Sequence, residues 1–432
     1  MSLPTPKLSY ERDGQTLTLN WTEPPGMRCA LMSNMVVDGS KPWGLSPKTV
    51  PMVKEQEYFR LETGPTGEFE LPGGGEMTCR HIVRRDDGLN AYAYNAGILR
   101  VALFRDVGAP FTFDLPGISF SLGVELAFVG SKLYVATGEP TIGTIAEVDV
   151  SSDWPPVVGP QVTTHLVDQP DGRLRWPAVC GLKNGGLVAQ WYLQGGENHS
   201  ARVVYRNPNA MSPEQEWQDQ VVNFPAKMPT NNAAGRNEIC QHPATGQVWL
   251  LGIRDSKHEL PCVVFDAHGT LEKAFEKILT NGYPVNGVVD PCAFDGELPQ
   301  WFRVVPVGDN LRIMGNAYHD FVVINTVDFG WCKLTKLVTF DVSSDGKVTL
   351  VGYTNGYCER CSPDYAYVND AALMCPTPPD TIEFPRAKNA ILTRDIDGLV
   401  ISPLAHWIAV GQGKKEVAYM RKVDGKAVVN RL

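Results

Sequence analysis

A short segment occurs twice in this chain, and that repetition constrains its fold more than any other feature. Val129-Gly130-Ser-Lys-Leu133 leads to Val148-Asp149-Val150-Ser151-Ser152-Asp153, and Val307-Gly308-Asp-Asn-Leu311 leads to Phe340-Asp341-Val342-Ser343-Ser344-Asp345. The second copy holds a longer insertion between its halves, and the shared register marks a repeat architecture, in which each unit buries its apolar face against the next. At 432 residues the chain exceeds the size at which one compact core stops growing, so stacked units are the natural solution.

Several segments share one grammar: a tight turn with glycine, an alternating apolar strand, a loop, and a second strand ending near aspartate. It runs through residues 79–115, 126–158, 177–224, 239–269 and 302–351, and two less regular segments follow at 364–397 and 399–432. A spacing of about 45 residues with about four short strands per unit is the period of a β-propeller blade. The expectation is an all-β chain forming a propeller of seven blades, with six or eight as alternatives, over residues 76–432. Helix is nearly absent from this pattern. Only residues 269–279, with Leu271, Ala274, Phe275 and Ile278 at helical spacing, favour a short one.

Residues 1–75 stand outside the grammar and are expected to form a short N-terminal β appendage. The stretch Gln15-Thr-Leu-Thr-Leu-Asn-Trp21-Thr-Glu-Pro-Pro-Gly26 alternates cleanly, and it resembles the early strands of a fibronectin-type sandwich. An edge strand packed on the first blade is the alternative reading. Residues 65–75, rich in Pro and Gly, suit a linker.

Composition excludes several partners. A formal charge of -9 without a run of Lys and Arg argues against nucleic acid, because backbone binding needs a concentrated basic surface. No apolar run reaches the length of a membrane span, so no membrane insertion is expected. The N-terminus lacks a basic segment followed by an apolar one, which leads to the expectation of synthesis in the cytoplasm without a signal peptide. The 10 cysteines are scattered, and a chain this long builds its core without disulfides. Cys358-Glu-Arg-Cys361, with Cys375 further on, is the weak beginning of a zinc site; a matching second pair is missing, so neither metal nor cofactor is expected.

The segment Leu174-Arg175-Trp176-Pro177-Ala-Val-Cys-Gly-Leu-Lys-Asn-Gly-Gly-Leu-Val-Ala-Gln-Trp191 resembles the opening blade of sialidase-like and other BNR-repeat propellers. In sialidases the matching arginine is one of three that clamp a carboxylate, so the resemblance makes Arg175 a ligand-binding candidate, with Trp176 beside it. Arg80 and Arg236, in Arg236-Asn-Glu238, are candidates for equivalent positions at other blades. The family's Asp box survives only in degraded form, as Ser343-Ser-Asp345-Gly346-Lys-Val-Thr349, and its Ser and Asp side chains suit a turn cap. Arg80-His81 is also similar to the histidine strand of propeller polysaccharide lyases, where His, Tyr and Arg neutralise a uronate and remove a proton. That similarity makes His81, Tyr192 and His199 catalytic candidates and Arg202, with Arg206 as the alternative, a further ligand contact. Neutral His or Tyr can serve as base near neutral pH while Arg holds the carboxylate.

Function is read mainly from what the motifs lack: a full catalytic set, a metal box, a phosphate loop and a basic track are all missing. The expectation is a non-enzymatic recognition or assembly module that binds protein or glycan, with self-association left open. In style the chain is similar to accessory proteins of bacteriophage tails, fibres or necks, which implies a virion component. The alternative is a sialidase-like or lyase-like enzyme acting on acidic glycans.

Overall fold

The computed structural model describes backbone strands between Leu8 and Arg431, and side chains over residues 71–73, 82–85, 87–105, 109–150, 161–169, 173–193, 199–225, 237–252, 259–280, 298, 302, 304–313 and 340–351. Among the described residues the chain is all-β apart from one helical turn, α1 (Pro213–Glu216). Near the N-terminus β1 (Leu8–Asp13), β2 (Thr16–Trp21), β3 (Met27–Asn34), β4 (Gly44–Leu45), β5 (Thr49–Pro51) and β6 (Tyr58–Pro65) form two small antiparallel sheets. Their strand orders are β1-β2-β5 and β4-β3-β6, so the alternating stretch that ends at Trp21 lies in β2. β7 (Glu68–Glu70) follows.

Five successive antiparallel sheets come next. The first holds β8 (Glu76–Met77) and β9 (Val83–Arg84), both paired to β10 (Asn90–Asn95), then β11 (Leu99–Phe104) and β12 (Phe111–Asp114). The second runs β13 (Val124–Val129), β14 (Lys132–Gly138), β15 (Ile142–Asp149), β16 (Val162–Asp168). The third runs β17 (Arg173–Gly181), β18 (Leu187–Gln194), β19 (Asn198–Arg206), β20 (Trp217–Lys227). The fourth runs β21 (Glu238–Gln241), β22 (Val248–Leu251), β23 (Glu259–Ala267), β24 (Leu271–Thr280). The fifth runs β25 (Trp301–Val307), β26 (Asn310–Ile324), β27 (Phe329–Val342), β28 (Val348–Gly356). A two-stranded sheet of β29 (Asp364–Val368) and β30 (Ala371–Cys375) follows. Then come β31 (Ala405–Val410), β32 (Val417–Val423) and β33 (Lys426–Arg431), with β7 as the fourth strand of that last sheet through Val429 opposite Phe69.

First strands pack side by side in chain order: β13 on β17, β17 on β21, β21 on β25, β25 on β29, β29 on β31, and β31 back on β9. This is the propeller arrangement that the repeats led us to expect. The repeated segment falls at equivalent places in the second and fifth blades. Gly130 and Gly308 make the turns from first to second strand with φ of 57° and 55°, a left-handed backbone open to glycine. The second halves of the repeat end the third strands, β15 and β27. Beyond β27, Ser343 Oγ accepts from Lys347 N at 3.2 Å and Gly346 N donates to Ser343 O at 2.8 Å, so the degraded Asp box caps its own turn. Residues 151–160, which carry the other copy's serines, lie outside the described residues.

The helix expected over 269–279 is strand β24 instead. Its backbone pairs along β23 from Ala267 opposite Leu271 to Glu259 opposite Thr280. Leu271 and Leu279 are buried while Glu272, Lys273, Glu276 and Lys277 face solvent. The ladder offered by β23 outweighs the helical spacing of four apolar residues, because local propensity is a weak force beside tertiary pairing.

The core lies between the faces of adjacent sheets. Trp191 is fully buried and its indole Nε1 donates to Thr137 O at 2.9 Å, which wedges the third blade onto the second. Glycines make room for it: a Cβ on Gly143 would meet Trp191 Cε2 at 2.9 Å, and one on Gly138 would meet Leu174 O at 2.6 Å. Further out in the same interface, Tyr134 Oη donates to Glu147 at 2.8 Å, while Lys132 and Arg206 also approach that carboxylate. On the other side, Gln190 Nε2 donates to Glu238 O at 2.8 Å and Asn184 Nδ2 to Ala267 O at 3.1 Å, both reaching the fourth blade.

Trp191→Ala is expected to destabilise the protein by about 3–5 kcal/mol, the usual range for removing a buried aromatic side chain. Gly143→Ala should destabilise the wild type but cost little in the Trp191→Ala background, because both changes act on one contact. Urea unfolding of the four proteins of this cycle checks it; strictly additive effects would contradict the wedge.

Candidate functional site

The site forms where the third blade's first strand is broken. Arg175 pairs opposite Tyr192 and Ala178 opposite Gln190, so Trp176 and Pro177 together face the single residue Trp191 across a bulge. Proline has no N–H to give to a ladder, and a bulge is one of the few places inside a sheet that tolerates it. Trp176 takes φ of 48°, the one positive φ among the described residues other than glycine. A bulky residue is held there at a cost of about 1–3 kcal/mol, which the surroundings must offset. Two contacts with the second blade do this: Trp176 N donates to Leu122 O at 3.0 Å, and Pro177 seats beside Gly123, where a Cβ would approach Pro177 Cδ to 3.0 Å.

Strained in this way, the Trp176 ring stacks on Tyr192, with centroids 5.7 Å apart and planes 15° apart, and the Arg175 guanidinium lies 5.8 Å from the Trp176 ring centre. That distance is within the range of a cation–π contact. Behind this pair, Tyr192 meets His199 edge-on at 6.0 Å, and His199 lies 4.4 Å from the Phe224 ring. His199 Nε2 is 3.3 Å from Asn237 Oδ1, so the neutral tautomer protonated at Nε2 donates to that amide oxygen. Gly252, at the end of β22, leaves the space that His199 fills; a Cβ there would meet His199 Cε1 at 2.6 Å. Among the described residues, Arg175 Nε and Asn237 Nδ2 are buried without a hydrogen-bond partner.

Electrostatics follow burial. Desolvation pushes His199 down to about 4, against a smaller upward pull from Asn237, and holds the imidazole neutral at physiological pH. Desolvation also raises the Tyr192 phenol, and the positive charge of Arg175 offsets part of that rise. His199 is 0% exposed and Tyr192 1%, whereas Arg175 and Trp176 are half-buried and reach the surface. The arrangement therefore presents one guanidinium and one indole outward, on a sealed layer of neutral polar and aromatic groups.

Four of the sequence candidates come together here: Arg175, Trp176, Tyr192 and His199. Arg202 does not join them. It pairs opposite Trp191, on the face of the sheet turned to the second blade, and its Nη2 bonds Asp219 Oδ2 at 2.5 Å. Arg80, His81, Arg236, Cys358 and Cys361 lie outside the described residues, as does the side chain of Cys375 in β30. Sequence reasoning passed over Asn237, Phe224 and Gly252. Asn237 stood inside the quoted Arg236-Asn-Glu238, where the charged neighbour drew attention, and Phe224 and Gly252 ended apolar strands with no local mark of their role. Among the described residues no group of three or more His, Cys, Asp or Glu side chains is placed to hold a metal.

No family model matches the chain, and no curated protein matches it. Among solved structures it is similar to a polysaccharide lyase, Uly1, at a TM-score of 0.42 and 9% identity over 82% of this chain and 90% of that one. It is also similar to the periplasmic gluconolactonase of Pseudomonas aeruginosa, at 0.37 and 13% over 94% and 95%. A neuraminidase-like protein of a flat-faced bat isolate gives 0.30 and 9% over 73% and 84%. At these scores and identities none of them speaks to the activity of this chain.

The His199 environment predicts a pH dependence of stability. Its folded pKa, about 4, is below the unfolded value of about 6.5, so the unfolded chain takes up the proton first as pH falls. Stability is therefore complete above about pH 6.5, declines from there to about pH 4, and loses nothing further below it. Across that window the wild type should lose about 3 kcal/mol more than His199→Gln, which keeps a hydrogen bond to Asn237 but does not titrate. Urea midpoints of both proteins against pH test this, and parallel curves would contradict it.

Proposed function

We propose that this protein is a non-enzymatic recognition propeller, and that Arg175 and Trp176 at the broken strand of the third blade hold an anionic glycan or protein carboxylate. The observation that carries the reading is the split in exposure. The two groups able to move a proton, His199 and Tyr192, are sealed at 0% and 1% exposure, while the two groups suited to recognition reach solvent. A guanidinium matches a carboxylate with two parallel hydrogen bonds, and the Arg175 side chain is only half-buried. An indole ring offers a flat apolar face to a sugar or an apolar side chain. The strained backbone at Trp176 adds support, since such strain concentrates where a side chain is aimed for use.

The second reading, an enzyme acting on acidic glycans, draws on the presence of Arg175, Tyr192 and His199 in one cluster. It requires a substrate to reach an imidazole or phenol that lies beneath Trp176 and Phe224. The bacteriophage setting suggested by the style of the sequence has no observation among the described residues behind it.

Binding to a panel of uronate-containing, sialylated and neutral glycans tests the proposal. Arg175→Ala should weaken capture of the acidic members by 10- to 100-fold, about 1.5–3 kcal/mol for a hydrogen-bonded charge, and leave unfolding unchanged within about 0.5 kcal/mol. Trp176→Gly should abolish binding while holding stability within about 1 kcal/mol, because glycine accepts the positive φ and relief of strain offsets the lost stacking. Turnover of any panel member by the wild type, lost in His199→Gln, would make the enzyme reading the correct one.

A further inference from the structure

We propose that Glu139 is a positioning residue for the Arg175 and Trp176 site: its carboxylate pins the loop that enters β13, and that loop holds Trp176 in its outward turn. Its role in binding rests on the recognition reading, whereas its hold on Trp176 does not and is measurable without a ligand.

The strained turn at Trp176 leans on two residues of the second blade, Leu122 through its carbonyl and Gly123 through its bare backbone. Both lie just ahead of β13, at the end of a ladder, where strands fray first. Gly123 takes φ of 121°, and glycine keeps open alternatives that another residue would not. Two backbone bonds tie the pair to the second strand, Leu122 N donating to Gly138 O at 2.9 Å and Gly138 N to Gly123 O at 3.1 Å. A glycine at a fraying end is by itself a poor support for a residue whose backbone costs about 1–3 kcal/mol to hold.

Glu139 supplies the further hold. It follows Gly138 at the end of β14, and its own N–H donates to Ile142 O at 3.0 Å, which closes the hairpin to β15 and fixes the root of the side chain. Its Oε1 accepts from Ser119 Oγ at 2.7 Å and from Ser121 N at 2.5 Å, and its Oε2 accepts from Ser121 Oγ at 2.8 Å. These bonds fix both ends of Ser119-Phe120-Ser121, and between them Phe120 packs against the core of the first two blades. Leu122 is the next residue, so whatever fixes Ser121 fixes the carbonyl that Trp176 uses. Hydrogen bonds to an ionised acceptor are about twice as strong as neutral ones. Partial burial draws the Glu139 carboxyl upward, but the bonds from Ser121 and Ser119 outweigh it and hold the group below the usual carboxylate range, ionised at physiological pH.

Fluorine NMR of the full chain labelled with fluorotryptophan tests this, with the signals of Trp176 and Trp191 assigned by Trp176→Phe and Trp191→Phe. In the wild type the Trp176 signal is shifted by the ring current of Tyr192. Glu139→Ala should move it toward the position of free fluorotryptophan and leave in place the signal of Trp191, the wedge between the second and third blades. Glu139→Gln retains an acceptor for Ser121 N and should move it by less than half as much. On the glycan panel, Glu139→Ala should weaken capture of the acidic members about tenfold and Glu139→Gln about threefold or less, the size expected of groups coupled through shared contacts. A Trp176 signal unmoved in Glu139→Ala would overturn the proposal, and so would an equal shift at Trp191, which marks a general loosening. A moved Trp176 signal with undiminished glycan capture would overturn it as well. If the wild type captures no panel member, the recognition reading fails, and the fluorine signals alone still decide whether Glu139 holds Trp176.

Discussion

Everything in this fold depends on how closely neighbouring sheets approach. A four-stranded sheet has two faces to bury and cannot bury either alone, so each blade is stable only against the next. The approach is set at a few points where a large side chain meets missing side chains: Trp191 against Gly138 and Gly143, and His199 against Gly252. Hydrogen bonds from one blade to the backbone of another, such as Trp191 Nε1 to Thr137 O and Gln190 Nε2 to Glu238 O, fix the sheets in register rather than merely in contact. Each satisfies a polar group that would otherwise be buried at a cost of about 1–3 kcal/mol.

The site is a by-product of the same packing. β17 must follow β13 on one side and β21 on the other, and the bulge at Trp176 and Pro177 lets it do so while turning one indole out of the ladder. The second blade supplies the carbonyl of Leu122 and the bare backbone of Gly123 that hold the strained residue, and the fourth supplies Asn237 and Gly252 that enclose His199. Three blades thus build one small surface, and no single repeat could have formed it. The layer of Tyr192 and His199 beneath the surface is buried and, at physiological pH, carries no charge, and a low-dielectric backing of this kind strengthens any charge interaction that Arg175 makes above it.

Much of the fold was legible in the chain because the repeat is a backbone signal. Gly130 and Gly308 recur where a left-handed turn is needed, and the apolar pairs around Val148 and Phe340 recur where a third strand must be buried. Residues 271–280 were not legible, since four apolar residues at helical spacing are also compatible with a half-buried strand and only β23 decides between them. At the site, Arg175 and Trp176 stood out through a motif, and Tyr192 and His199 through residue type and closeness in sequence. The exclusion of Arg202 was hidden, because it depends on which face of β19 each residue takes and therefore on the Trp191 to Arg202 register. Asn237 was hidden for a different reason: its role arises from the fourth blade closing over the third, a contact between residues 38 positions apart.

The most direct measurement is a structure of the full chain with a uronate-bearing oligosaccharide bound. The recognition account predicts a carboxylate within hydrogen-bond distance of Arg175, a sugar ring over Trp176, and His199 and Tyr192 still covered. A ligand whose scissile bond or acidic proton lies within hydrogen-bond reach of His199 or Tyr192 would contradict it.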